Sequence, residues 1–376
     1  MLIHEYLSTP GNSLDTLAHD YAIKVRVNID LGVVCLNYDQ IESNTSLPLV
    51  QECRSLVLEL DTWEPLSWPF PRFFNLDENK THSFDWANFE TWEKLDGSLI
   101  SIWNHKSQGW QVSTRSVPDG SNSYNECPET FRQLLERTLL DMGTSFSTVT
   151  SFFDPGYSYT FELQTPETQV LTIVTDRKLS LLAIRSLADL QEVHIHDWLK
   201  GHPGFPLPSA PHYPGFTLET VRATVQTRDP LAYEGYVLVD AQFNRIKVKS
   251  TAWVLMAGCR DSVGKSPRAR VEIILQGKDD DIMGILPLNL QAKMVDLKQL
   301  ILALSQSLEI EYERFKGIQE QKDFAMTVLK LATLPQAMFA LRKGMVTSGL
   351  EFLKKSRPRD ILEWVHLKDE DIQDSA

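Results

Sequence analysis

The feature that most constrains this chain is the brevity of its apolar runs over the first two thirds. The segments 55–60, 98–103, 159–164, 179–185, 236–240 and 245–249 are short and β-branched or alternating, each long enough for a strand and too short for a buried helix. Between them, 128–142 puts Phe131, Leu134, Leu135 and Leu139 on one helical face, with Pro128 and Glu129 where a helix start prefers them. Strands interleaved irregularly with a few helices predict an α+β fold with largely antiparallel sheets. Five prolines within 202–216 mark an excursion between elements. After Trp253 the period becomes helical, clearest in 292–304 and 323–341. The reading is therefore two domains, 1–255 with mixed sheets and 256–376 mostly helical.

Charge follows the same division. The chain of 376 residues has a net charge of −13, yet 256–376 holds 18 basic and 18 acidic residues, so the excess acid lies in 1–255. A polyanionic partner then needs a local basic groove, with divalent metal to help neutralise it. No stretch reaches the roughly 18 apolar residues of a membrane helix, and the start lacks a signal-peptide pattern, so a cytoplasmic protein with no membrane partner is expected. Cys35, Cys53, Cys127 and Cys259 are widely spaced and read as free thiols.

The most informative string is Glu93-Lys94-Leu95-Asp96-Gly97-Ser98-Leu99. It places an amine and a carboxylate on a tight turn before a strand, which suits a nucleophile. Companions occur in order: Glu52-Cys53-Arg54, Arg72-Phe73-Phe74-Asn75, Ser113-Thr114-Arg115, Phe161-Glu162-Leu163, Leu182-Ala183-Ile184-Arg185, Tyr233-Glu234-Gly235-Tyr236 and Ile246-Lys247-Val248-Lys249. Lys247 and Lys249 alternate with apolar residues, so both amines face one side of a strand.

This ordered set, over about residues 50 to 255, resembles the covalent nucleotidyltransferase superfamily, and most closely the ATP-dependent RNA ligases of the bacteriophage RNA ligase 1 type. The resemblance implies that Lys94 is the catalytic nucleophile that accepts AMP from ATP. It implies that Arg54, Arg72, Phe74, Asp96, Gly97, Arg115, Glu162, Glu234, Gly235, Lys247 and Lys249 form the nucleotide site. Asp96, Glu162 and Glu234 are the expected carboxylates for Mg²⁺ or Mn²⁺. Guanidinium forks at Arg54, Arg72 and Arg115 suit phosphate, and Phe74 or a nearby aromatic suits adenine. The implied substrate is RNA with 5′-phosphate and 3′-hydroxyl ends, single-stranded or a broken loop such as a damaged tRNA. The protein is expected to act as a monomer, with an end-healing kinase/phosphatase as a possible partner and 256–376 selecting the RNA.

Departures from the family pattern are mild: Ser55 stands in place of a glycine, Arg72 and Arg115 in place of lysines, and Trp253 near the aromatic after the last motif. Leu99 occupies the position where DNA ligases and capping enzymes carry an arginine, and no OB-fold pattern follows, which disfavours both. A module that binds nucleotide or RNA without turnover is the remaining alternative, and it gives Lys94 no chemical purpose. Two strings look like sites and are set aside. Gly258 to Ser266 has five residues between its glycines where a phosphate loop requires four. His194-Ile195-His196 would put two imidazoles on one strand face, but no further ligand stands at suitable spacing, so a surface or structural pair is expected. The basic spots Lys265, Arg268, Arg270 and 354–359 read as solvated helix surface.

Overall fold

A computed structural model describes residues 1–76, 78, 84–123, 127–168, 171–259, 266–283 and 288–366. The chain divides into two compact units, Met1–Ala257 and Gly258–Ala376.

The first unit contains three sheets. The strands are β1 (Ile23–Asn28), β2 (Val33–Tyr38), β3 (Leu56–Glu59), β4 (Pro65–Ser67), β5 (Phe74–Asn75), β6 (Phe89–Lys94), β7 (Ser98–His105), β8 (Gly109–Ser113), β9 (Tyr157–Gln164), β10 (Lys178–Ser186), β11 (Glu192–Val193), β12 (Gly235–Asp240) and β13 (Arg245–Lys249). They are ordered β1-β2-β3-β4, β11-β10-β9-β7-β8 and β5-β13-β12-β6. Every pairing is antiparallel except β13 with β5. The α+β expectation holds.

Alternation along the strands explains the layers. Tyr236, Leu238, Ile246 and Val248 turn to one side of the four-stranded sheet and pack with Val221 and Val225 of the helix Leu218–Thr227. Trp92, Val237 and Val239 turn to the other side, into a core shared with Ile100, Phe161, Leu163 and Leu181 of the five-stranded sheet. Burial of this apolar surface stabilises the unit by about 25 cal/mol per Å². The core joins the two sheets through Trp92 and Val239 of one and Ile100, Phe161, Leu163 and Leu181 of the other.

The helix expected at 128–142 forms as Phe131–Asp141, and its start is set by chemistry other than Pro128. Thr130 is the N-cap, accepting from Gln133 N at 3.2 Å, while the Gln133 side chain accepts from Thr130 N at 2.9 Å. The proline-rich excursion returns to close the free edge of β6: Glu93 N donates to Pro211 O at 2.8 Å and Tyr213 N to Thr91 O at 2.8 Å. One expectation is corrected here. His194 and His196 do not share a strand face, because β11 ends at Val193 and His194 is the N-cap of the helix Ile195–Gly201.

All secondary structure described in the second unit is helical: Pro267–Gln276, Asp279–Met283, Leu288–Phe315, Gln321–Leu331, Pro335–Arg342, Gly349–Lys355 and Pro358–Trp364. The periodic stretch 323–341 forms two helices, since Pro335 lacks the N–H needed to continue one and instead opens the next. Much of the basic run 354–359 is ion-paired locally, Lys355 with Glu351 at 2.7 Å, Arg357 with Asp360 at 2.9 Å and Arg359 with Glu363 at 3.0 Å. Arg270 is buried, so it is not a surface cation. Lys265 and most of the phosphate-loop lookalike lie outside the described residues. No helix among the described residues is long and apolar enough to cross a membrane. Cys35, Cys53 and Cys127 are free thiols.

Candidate active site

The site begins with one row of residues across the four-stranded sheet. Gly235 pairs with Lys94 on β6 and with Lys249 on β13, so the two lysines flank a residue without a side chain. Two positions along, Val237 pairs with Trp92 and Lys247. Paired residues share a face, which puts Lys94, Lys247 and Lys249 on the side that meets the other sheet. Gly235 is required by its surroundings: a Cβ there would stand 2.2 Å from Val248 O and 2.8 Å from Lys249 Cα.

Glu234, one residue before that row, ties the lysines together. Its Oε2 accepts from Lys94 Nζ at 2.9 Å and its Oε1 lies 3.3 Å from Lys249 Nζ. The Glu234 side chain is 3% exposed and those of Lys94 and Lys249 are 22% and 9%, so the pairs are poorly screened and Lys94 alone keeps a substantial opening to solvent. Trp253 holds Lys249 from beyond the strand, with the ammonium 5.2 Å from its ring centre. The same indole donates to Thr172 Oγ1 at 3.2 Å.

The opposing sheet supplies the other acids. Leu99 on β7 pairs with Glu162 on β9, and Phe161 and Leu163 beside it are fully buried on the opposite face. Glu162 is half-buried and turns toward the lysines. Burial pushes its carboxyl up to about 8; Lys94 and Arg54 pull it down, while Glu234 and Asp96 push it further up. Asp96 is buried, and its Oδ2 accepts from the backbone N–H groups of Leu171 and Thr172 at 3.0 and 2.9 Å. Gly97 lets β7 start against β9, since a Cβ there would meet Leu163 O at 2.4 Å.

The arginines gather around a residue that motif reasoning missed. Tyr38, at the end of β2, accepts from Arg72 Nη1 at 3.1 Å, and the guanidinium carbons of Arg72 and Arg115 lie 5.2 and 5.3 Å from its ring centre. Burial works against ionising this phenol, yet Arg115, Arg54 and Arg72 together hold it below its ordinary value. Burial also brings Arg54 down to about 10, and its buried Nη1 has no hydrogen-bond partner among the described residues. A concentration of guanidinium charge with an unused donor suits an anion.

Phe74 is buried at 7% with Arg72 over its ring at 5.3 Å. Phe73 is the ring of this motif that stands among the site cations, 5.0 Å from the Arg54 guanidinium and 5.9 Å from Lys247 Nζ. Arg185 lies elsewhere. It forms a buried pair with Glu192 at 2.6 Å and stacks on Trp68 at 4.3 Å, while Arg245 holds the same carboxylate. Its position is explained by joining β10 to β11.

A lysine at the end of one strand, with carboxylates from both sheets beside it, is the arrangement expected from the resemblance to nucleotidyltransferases. Comparison with known proteins narrows this. Residues 52–253 match the family model described as RNA ligase, more than half the chain, and the protein belongs to that family. It is 21% identical over 329 residues to an RNA ligase of Rhodothermus phage RM378, covering 72% of this chain and 73% of the relative. It is also 25% identical over 303 residues to a protein of Autographa californica nuclear polyhedrosis virus that carries the name bifunctional polynucleotide kinase/RNA ligase. That match covers 76% of this chain and spans 42% of the viral protein's length. Among solved structures, a Naegleria gruberi RNA ligase mutant with ATP and Mn is similar at 18% identity and TM-score 0.35, covering 45% of this chain and 51% of that one.

Proposed function

We propose that the protein is an ATP-dependent RNA ligase that seals a 5′-phosphate to a 3′-hydroxyl through a lysyl-AMP intermediate. The carrying observation is that Lys94, partly open to solvent, shares the buried Glu234 carboxylate with Lys249, beside an arginine cluster that has an unused donor. In the first step the neutral Lys94 amine attacks the α-phosphorus of ATP; an N–P bond forms, the α–β P–O bond breaks and pyrophosphate leaves. Glu234 aims the amine, and Lys247 and Lys249 balance the α-phosphate charge. Arg54, Arg72 and Arg115 suit the departing phosphates and later the RNA 5′-phosphate. Phe73 is the aromatic better placed than Phe74 to stack on a base. In the second step AMP passes from Lys94 to the RNA 5′-phosphate. In the third a 3′-hydroxyl attacks that phosphate, and AMP leaves as the phosphodiester forms.

The residues fit a divalent cation. Glu162 lies close enough to Glu234 and Asp96 for both to oppose its ionisation, and carboxylate oxygens that repel one another suit Mg²⁺ or Mn²⁺. Glu162 and Glu234 would hold the ion; the ligand atoms of Asp96, Glu162 and Glu234 do not all lie within 4.8 Å of one another, and Asp96 is engaged by the backbone N–H groups of Leu171 and Thr172. When bound, the ion would neutralise phosphate charge. The helical unit 258–376 is the candidate for RNA selection, and RNA repair, including that of a broken tRNA loop, is the process this chemistry serves. The name of the viral relative, which joins a kinase to a ligase, supports pairing with an enzyme that prepares the ends. The test is sealing of a 5′-phosphorylated RNA with ATP and Mg²⁺. Ligated product with RNA and little with nicked DNA is expected; preference for nicked DNA would overturn the substrate assignment.

A further inference from the structure

Outside the lysine site, a different donor set converges between the two facing sheets. Glu90 stands on β6, on the same face as Trp92 and Lys94. His194 and His196 come from the junction of β11 with the helix Ile195–Gly201. One ligand atom from each of the three lies within 4.8 Å of the others. A tetrahedral ion with bonds near 2.1 Å spaces its donors by about 3.4 Å, so modest side-chain rotations close the set.

Three details support ligation over simple packing. Glu90 Oε1 lies 3.1 Å from His194 Nε2, so one carboxylate oxygen already faces an imidazole. Glu90 Oε2 accepts from the Trp92 indole N–H at 3.2 Å, the kind of outer hydrogen bond that fixes a ligating carboxylate. The His194 and Glu90 side chains are 40% and 34% exposed, which leaves an entry path. His212, stacked on Trp92 at 4.6 Å and 4.8 Å from the His196 ring, closes the apolar side of the cluster.

We propose that Glu90, His194 and His196 form a second metal site, separate from the acids around Lys94, that takes a borderline transition ion of the Zn²⁺ class. Two imidazoles with one carboxylate prefer such ions, whereas Mg²⁺ prefers oxygen alone. The three ligands leave a position for water. Because Glu90 belongs to the four-stranded sheet and His194 follows the edge strand of the five-stranded one, the ion ties together the two sheets that enclose the lysine site. Its role is to brace that cleft.

The test uses the full chain without a histidine tag, in excess Mg²⁺ to occupy oxygen-only sites, titrated with Co²⁺ as a spectroscopic stand-in for Zn²⁺. Wild type and His19→Ala, a substitution at an exposed histidine away from the cluster, should each bind a single Co²⁺ with visible bands of imidazole ligation. His194→Ala and His196→Ala should lose those bands, and Glu90→Gln should weaken binding. Added Zn²⁺ should raise the unfolding midpoint of wild type and leave that of His196→Gln unmoved. Without added Zn²⁺, His196→Gln should keep the circular dichroism spectrum and cooperative urea transition of wild type, which shows that the variant is folded and keeps this outcome independent of the ligase reading. Absence of Co²⁺ bands in wild type, or their retention in both histidine variants, would overturn the proposal.

Discussion

Replacing Gly235 by alanine tests whether the close approach of β12 to β13 organises the lysine row. The added Cβ would lie 2.2 Å from Val248 O and 2.8 Å from Lys249 Cα, where ordinary contact begins near 3.4 Å. Both obstacles are backbone, so β12 and β13 must separate by roughly 1 Å. Overpacking of this kind costs about 1–3 kcal/mol, which denaturant unfolding will register. The displacement falls on Lys249 and, through Glu234, on Lys94. A misplacement of about 1 Å at a reacting group can slow chemistry about 100-fold, so AMP transfer to Lys94 should fall far more than the stability loss alone implies. Gly201→Ala is the control, since nothing lies within 4 Å of its Cβ. The assays are urea unfolding and the rate of AMP incorporation under conditions where both variants remain folded. Wild-type stability together with a wild-type rate in Gly235→Ala would refute the reasoning.

Other substitutions separate the remaining contributions. Burial opposes the ionisation of Asp39, but Lys24 at 2.7 Å and the N–H groups of Glu42 and Ile41 hold it down at about 2 against an ordinary 3.8. Its contribution, about 2 kcal/mol, is therefore complete above pH 3.8 and lost as pH falls toward 2. Acid unfolding curves of Asp39→Asn should show a shallower loss over that window. Glu162 has the opposite sign: its raised value means the folded state binds the extra proton, so metal-free stability should fall as pH rises from about 4.5 to about 8. Glu162→Gln should flatten that slope in thermal melts. Arg54→Ala should weaken ATP binding by equilibrium titration, by roughly 10-fold or more, because a charge-assisted contact is worth about 1.5–3 kcal/mol.

The lysine row was legible because its residues lie in short strings whose spacing is itself structural. Lys247 and Lys249 alternate on a strand, and Glu234 and Gly235 begin one, so local pattern carries their placement. Tyr38 left no comparable signal. Its importance comes from the arginines delivered to it by three separate segments, and sequence distance hides such convergence. The same holds for Asp96, whose partners at Leu171 and Thr172 depend on how a loop returns. Strands β1 and β2 also escaped notice. β2 is buried along its whole length and so lacks alternation, whereas β1 alternates Ile23, Val25 and Val27 with Lys24, Arg26 and Asn28 and was readable as a strand. The pair His194 and His196 was assigned to a strand because its period fits one, but β11 is too short to extend through it. Glu90, the residue that gives the pair its chemistry, comes from the other sheet.

The most direct test of the central claim is intact-protein mass after incubation with ATP and Mg²⁺, using protein first stripped of bound AMP. The account predicts a covalent AMP adduct from ATP, absent with GTP and absent in Lys94→Ala. No adduct in wild type, or an undiminished adduct in Lys94→Ala, would contradict it.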